Sequence, residues 1–314
     1  MPKHHEVKST PETVHVSVFD AAIAPVIEVD SGDTVTLHCL SGAPDILPEG
    51  EAFEVLPDHL EVIRALNVTK PGHFMTGPVA VSGAEPGDML EVRILDVKLR
   101  QNWGHNSIRP LSGSLPDDFP IRRCMHIPLD AERLVATMPW GLKLPLRPFM
   151  GVMGVAPPPI WGAISSGPPR AHGGNMDNKE LVAGTTLFLP VFVTGANFSA
   201  GDGHACQGDG EVNSNGLETA LSGTFTLIVH KGKTITMPRA ETDAHYITMG
   251  MDVDLDDAAT QALREMITFI TERSNIAPED AYTLCSLAAD LRVTQIVDGN
   301  KGVHAMLPKW ALRA

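Results

Sequence analysis

Ionisable side chains set among glycines concentrate between residues 172 and 218, in His172-Gly-Gly-Asn-Met-Asp177, Gly201-Asp-Gly-His204, Gly208-Asp-Gly-Glu211 and Glu218. Asp202 and His204 stand two apart, so an extended backbone would place both on one face. A carboxylate beside an imidazole suits a zinc-type ion, and the glycines keep the backbone close and unobstructed. The same residues also suit a glycine-rich turn whose aspartate caps backbone amides, and spacing leaves both readings open. His172 and Asp177 divide in the same way. Gly173-Gly174 could bring His172 to a metal or substrate with Asp177 as ligand or orienting partner; the alternative is a loop histidine and a turn aspartate. Asp209 and Glu211 repeat the two-residue spacing and offer calcium-type oxygen ligands, which only a fuller acid cluster would make specific. Glu218 stands where a strand begins. Buried there, its pKa would rise and it could serve as a general base; solvated, it is an ordinary strand-end glutamate.

No covalent nucleophile accompanies these groups. The chain shows no G-x-S-x-G elbow, no Ser-x-x-Lys in a Gly/Ser-rich setting and no P-loop. Hydrolytic chemistry would therefore rest on metal-activated water. Trp103-Gly-His105-Asn106 offers either a pocket wall or a packed tryptophan with a surface histidine, and His230 and His245 read as strand-end residues.

The elements that must position these residues are mostly strands. Val14, Val16 and Val18 alternate with polar neighbours, and Asp33–Leu40 follows the turn Ser31-Gly32. Val79–Val81 and Met89–Leu95 flank Gly83-Ala-Glu-Pro-Gly87 and read as a hairpin. Residues 100–150, rich in Pro, Gly and Arg, show no period and read as a long ordered loop region with short strands. Thr185, Leu187, Leu189, Val191 and Val193 would line one face of a strand, and Thr219–Val229 forms another. Near residue 254 the pattern changes. Asp254 and Asp256 can cap a helix that buries Leu255, Ala259, Leu263, Met266, Ile267 and Ile270. Pro278-Glu-Asp280 opens a second helix with Leu284, Cys285, Ala288 and Leu291 as its stripe, and a hairpin follows over 293–307. The fold class is thus mainly β, a sandwich- or barrel-like body over 1–253. A smaller α/β portion near the C-terminus, 254–314, packs upon it.

Composition sets outer bounds. A chain of 314 residues, 43% hydrophobic and 20% charged, can bury a full core without staples. Its net charge of −14 repels phosphate backbones, so nucleic acid is excluded as an expected partner, while a neutral small substrate is not. Four widely spaced cysteines form no CxxC pair and suit idle thiols in a reducing compartment. Met1–Glu6 lacks the apolar core of a signal peptide, and no run is apolar enough to span a bilayer. A cytoplasmic protein without membrane partners is expected.

Several longer motifs, taken together, are specific. Thr76-Gly-Pro-Val-Ala-Val-Ser-Gly-Ala-Glu-Pro-Gly-Asp88, Met150-Gly-Val-Met-Gly-Val-Ala-Pro157, His172–Leu181, and Leu189–Val193 followed by Gly201–Val212 resemble the acetamidase/formamidase family in content and order. The resemblance runs from about residue 15 to the C-terminus. It implies hydrolysis of a small neutral amide to carboxylate and ammonia, a β-rich body with a smaller α/β part, and a homo-oligomer. It also implies a divalent metal, zinc foremost and calcium as a structural alternative. On the motif positions, Asp177, Asp202 and His204 are the expected metal ligands, with Glu218 and His172 catalytic. Glu218 would move the proton, and His172 would stabilise the oxyanion or complete the metal shell. His105–Pro110 and Asp117–Arg123 depart from the family pattern. If they border the pocket, two arginines there could grip a carboxylate, and the substrate would be a larger or anionic amide. Opening of a cyclic imide or ureide is the neighbouring alternative, and a metal-stabilised β protein that binds a ligand without catalysis is the third.

Overall fold

The computed structural model describes residues 2–50 and 52–312. Its strands follow from alternation. In Thr34–His38, Val35 and Leu37 are fully buried while the threonines face outward. There they pair across the sheet, Thr34 with Thr226 at 3.0 Å and Thr36 with Thr224 at 2.9 Å between hydroxyl oxygens. This strand belongs to a nine-stranded sheet. In spatial order the strands are His4–Val7, Thr34–His38, Leu221–His230, Met89–Leu99, Thr186–Pro190, Arg239–Glu241, His245–Asp252, Lys301–Pro308 and Asp290–Gln295. A six-stranded sheet holds Gly173–Asn175, Phe149–Gly154, Phe198–His204, Phe74–Val81, Val14–Val16 and Ile27–Val29. The two inner faces share one core: Leu90, Val92, Ile94, Leu187, Phe225 and Leu227 of the larger sheet meet Val79, Val81, Met150, Met153 and Phe198 of the smaller. The expected β-sandwich body is therefore present.

The hairpin read over residues 77–99 does not form. Phe74–Val81 and Met89–Leu99 both exist as strands, but the turn between them carries the chain from the six-stranded to the nine-stranded sheet. The cause is burial. All eight residues of Phe74–Val81 are buried, and its edges are taken by Phe198–His204 on one side and by Val14–Val16 and Ile27–Val29 on the other. Residues 100–150 are also more regular than their composition suggests. Trp103–Ile108, Arg123–Asp130, Val135–Thr137 and Lys143–Pro145 form a four-stranded antiparallel sheet. The buried positions of Trp103–Ile108 include His105 and Ser107, so its inward face carries no apolar alternation.

The C-terminal helices form over Leu255–Arg273 and Pro278–Ala288, and the carboxylate of Asp254 caps the first by accepting from the N–H groups of Asp256 and Asp257. The buried stripe is turned by about one residue from the expected one, with Ala258, Ala262, Met266, Phe269 and Ile270 inside and Leu255, Ala259, Leu263 and Ile267 along its flank. Leu291 lies in a strand and is exposed. These helices pack on Val303, Ala305 and Leu307, whose strand extends the nine-stranded sheet. Among the described residues no helix is long and apolar enough to cross a membrane.

Candidate active site

Strand Phe198–His204 carries Asp202 and His204, and all seven of its residues are buried. Its glycines are required by close approach: a Cβ at Gly203 would lie 2.4 Å from the carbonyl oxygen of Thr219. The neighbouring Gly151 is tighter still, for a Cβ there would lie 2.4 Å from Oδ1 of Asp177 and 2.7 Å from Oδ2 of Asp202. The motif glycine thus makes room for two carboxylates. Asp202 is not regular strand, since its φ is 53°, and Asp177 sits at 47°, a backbone region that costs energy for any residue but glycine.

Glu218 is fixed by backbone on two sides, bridging to both His105 and His204. One of its carboxylate oxygens, Oε1, accepts the Gly216 N–H at 2.9 Å, and Oε2 lies 3.5 Å from the Ser41 hydroxyl. Nε2 of His204 lies 3.2 Å from Asp202 Oδ2 and 3.1 Å from Glu218 Oε1, yet makes no hydrogen bond with either. Three donor atoms therefore converge. On the far side of the ring, Nδ1 meets Gln207 Oε1 at 2.7 Å, and the Gln207 amide donates to the carbonyl of Asp177 at 2.8 Å. Nδ1 holds a proton in that contact, so Nε2 is the nitrogen that faces the convergence point and would give its lone pair to a bound cation.

A second set adjoins the first. Asp177, His204 and Glu211 also place one ligand atom each within 4.8 Å of one another, as do Asp202, His204 and Glu218. Both oxygens of Asp177, Oε2 of Glu211 and Oδ2 of Asp298 are buried without a hydrogen-bond partner among the described residues. Such orphaned acceptors are costly unless a cation takes them. The residues therefore fit a divalent metal, though they do not name one.

The electrostatics agree. Burial pushes the carboxyl of Asp177 well above the usual range, and Glu211 and Asp298 add to it. Burial, then Asp298, raises Glu211 in the same way. Asp298 is pushed up to about 6, chiefly by burial. Burial also raises Glu218, against the pull of His204. For Asp202 the burial effect is overcome by His73 and His204, which hold it well below the ordinary value. His204 is itself raised, because Glu218 and Asp202 outweigh its burial.

These groups lie at a cavity of about 300 Å³ whose lining includes Asp202, Glu211, Glu218 and Asp298 together with Leu40, Ser41, Ile46, His73, His105 and Arg109. Of the sequence-predicted residues, Asp202 and Glu218 line it, and Asp177 and His204 stand buried behind them in the same clusters. His172 does not line the cavity. Its ring is buried edge-on against Phe19 and Trp161, with neither nitrogen hydrogen-bonded. Burial, with Arg170 nearby, depresses its pKa to about 3. Asp209 points elsewhere, pairing with Lys179 at 2.9 Å. Asp298 was missed, because it sits in the turn of the C-terminal hairpin and nothing in its local sequence separates it from a turn aspartate. His105 is a wall residue, not a surface histidine: it is 4% exposed, and burial, then His126, lowers its pKa to about 3.

With this geometry in place, comparison with known proteins is informative. The sequence model of the Acetamidase/Formamidase family matches residues 3–160 and 162–311. The chain belongs to the Acetamidase/Formamidase family. The acetamidase of Mycolicibacterium smegmatis is 33% identical over 201 residues, a match covering 46% of this chain and 50% of that protein. The chain thus spans about half the length of the curated relatives it matches. The crystal structure of an acetamidase from Bacillus halodurans superposes with a TM-score of 0.84 at 34% identity, covering 96% of this chain and 97% of that one. An acetamidase structure from Yersinia enterocolitica gives 0.87 at 27% identity, covering 100% and 94%. The Acetamidase/Formamidase fold therefore extends over the whole sandwich and its helical flank.

Proposed function

We propose that this chain hydrolyses a small amide to carboxylate and ammonia with the help of a divalent metal, zinc by choice of ligands. The observation that carries the reading is the convergence of Asp202, His204 and Glu218 on one point beside a cavity lined by Asp202 and Glu218. The names of the family relatives support the reaction class.

Asp202 and His204 would hold the ion on the Nε2 side of the ring, and Asp177, which lies 3.8 Å from Nδ1, would serve the adjoining set with Glu211. Bound there, it would supply the positive charge that polarises an amide carbonyl and acidifies water. Glu218 is the proton carrier. Its raised pKa lets it take a proton from the attacking water and pass it to the departing nitrogen, which must leave as an amine and not as an anion. Gly216 and Ser41 hold that carboxylate, and Gln207 orients His204. His172 receives no catalytic role in this reading.

Ammonia release from formamide, acetamide, propionamide and longer amides, before and after chelation and zinc readdition, tests it. Release that stops on chelation and returns with metal is expected. Release persisting in protein shown to be metal-free would defeat the metal mechanism. Absence of release from every amide would turn the site into a ligand-binding one.

A further inference from the structure

The reading above leaves one cavity residue unused. Arg109 lines the same space as Glu218, and it follows directly on the strand Trp103–Ile108. His105, Ser107 and Arg109 alternate along that backbone, and all three line the cavity. His105 is bridged to Glu218, so the Arg109 backbone lies about 13 Å further along at strand rise. Its long side chain shortens that span without closing it.

Arg109 is the sole Lys or Arg among the lining residues. The same lining carries the acids Asp202, Glu211, Glu218 and Asp298 and the apolar Leu40, Ile46 and Phe74. Asp45 lies 3.6 Å from Arg109, but the same carboxylate also pairs with Arg122. Two guanidinium groups facing one carboxylate leave a positive charge over. Among the described residues Arg109 makes no side-chain hydrogen bond, so its planar fork of donors is available. The cavity, at about 300 Å³, is also larger than a short amide needs, since a water occupies only about 30 Å³.

We infer that the substrate is an amide bearing a carboxylate at its far end, held by Arg109, which leaves the amide end for Glu218. The inference rests on the amide-hydrolysis reading and adds the substrate class. A monoamide of a short aliphatic diacid has the required length and charge.

The test compares glutaramate with pentanamide, two amides of matched chain length that differ in the terminal carboxylate. The wild-type enzyme is expected to favour glutaramate in kcat/KM. In Arg109→Met the glutaramate-to-pentanamide ratio should fall about 10- to 100-fold, the worth of a charge-assisted hydrogen bond, mainly through KM. Arg109→Lys should restore part of it, because the charge returns without the fork. Because the readout is a ratio, a general loss of activity cancels. Should the variants not fold, salt provides the same test on the wild type: KM for glutaramate should rise with ionic strength while that for pentanamide does not. A ratio unmoved by Arg109→Met, or salt dependence equal for both amides, overturns the inference. If no amide is hydrolysed, calorimetric binding of glutaramate separates the two claims. Binding that weakens in Arg109→Met supports the anion site while the hydrolysis reading falls, and absence of binding overturns both.

Discussion

Two walls of the cavity are built by different means. The wall that carries Asp202 and His204 is a fully buried strand whose glycines let backbone and carboxylates approach within contact distance. The wall that carries His105 and Ser107 belongs to a separate four-stranded sheet, and Arg109, just beyond its strand, has a side chain 27% exposed. Around the first wall, buried atoms are over-determined in position and under-satisfied in hydrogen bonding. On the second, satisfaction is mixed: Ser107 bonds Asn215 at 2.6 Å, while Nδ1 of buried His105 has no partner among the described residues and Arg109 only pairs with Asp45 at 3.6 Å. On the proposed reading, the chemistry would sit where the packing tolerates least change and selectivity where it tolerates more.

The sharpest way to break this contrast is at the proton carrier. Glu218→Gln should lower kcat by about 10²- to 10⁴-fold while metal content, read by elemental analysis, stays at the wild-type level. Turnover near normal would place the base elsewhere. A smaller but broader effect is expected from Gly151→Ala. Its added Cβ would displace Asp177 and Asp202 together, reducing bound metal and costing about 1–3 kcal/mol of stability through overpacking. Unchanged melting temperature and metal content would show that the two carboxylates are not held by that contact.

The smallest effect concerns Asp298. Burial raises its folded pKa to about 6, so between the ordinary aspartate value and 6 the native state keeps a proton that the unfolded state releases. Stability of the metal-free protein should therefore fall as pH rises through that window, and Asp177 and Glu211, raised in the same direction, continue the fall above it. Urea midpoints at several pH values check this, and Asp298→Asn should flatten the slope. A midpoint that rises with pH would reverse the assignment.

Much of the frame was legible in the sequence. Alternation located Thr34–His38, Thr186–Pro190 and Leu221–His230, because each buries one face only. The Gly-Asp-Gly-His run pointed to the site because glycine there has no packing purpose other than close approach. What was not legible is what depends on tertiary placement. The turn at 83–87 has hairpin chemistry, yet burial of Phe74–Val81 sends the two flanking strands into different sheets. His105 and Ser107 break the apolar period because a polar cavity, not a core, lies behind them. Glu211 carried a weak signal as one of a two-apart acid pair, and Asp298 carried none, since its part depends on a loop about ninety residues upstream.

That loop has a consequence for how the enzyme comes into being. Gly210, beside Glu211, donates to the carbonyl of Thr294 at 3.0 Å and accepts from the Ile296 N–H at 3.2 Å, and Asn300 donates to the carbonyl of Pro169 at 2.9 Å. The hairpin Asp290–Pro308 therefore locks segments made well before it. A nascent chain that has finished both sheets except Asp290–Pro308 has its triad residues but neither Asp298 nor the clamp on Glu211. Synthesis proceeds at about 5–20 residues per second. Full assembly of the acid cluster accordingly waits on synthesis of Asp290–Pro308, and the finished hairpin acts as the latch that closes it.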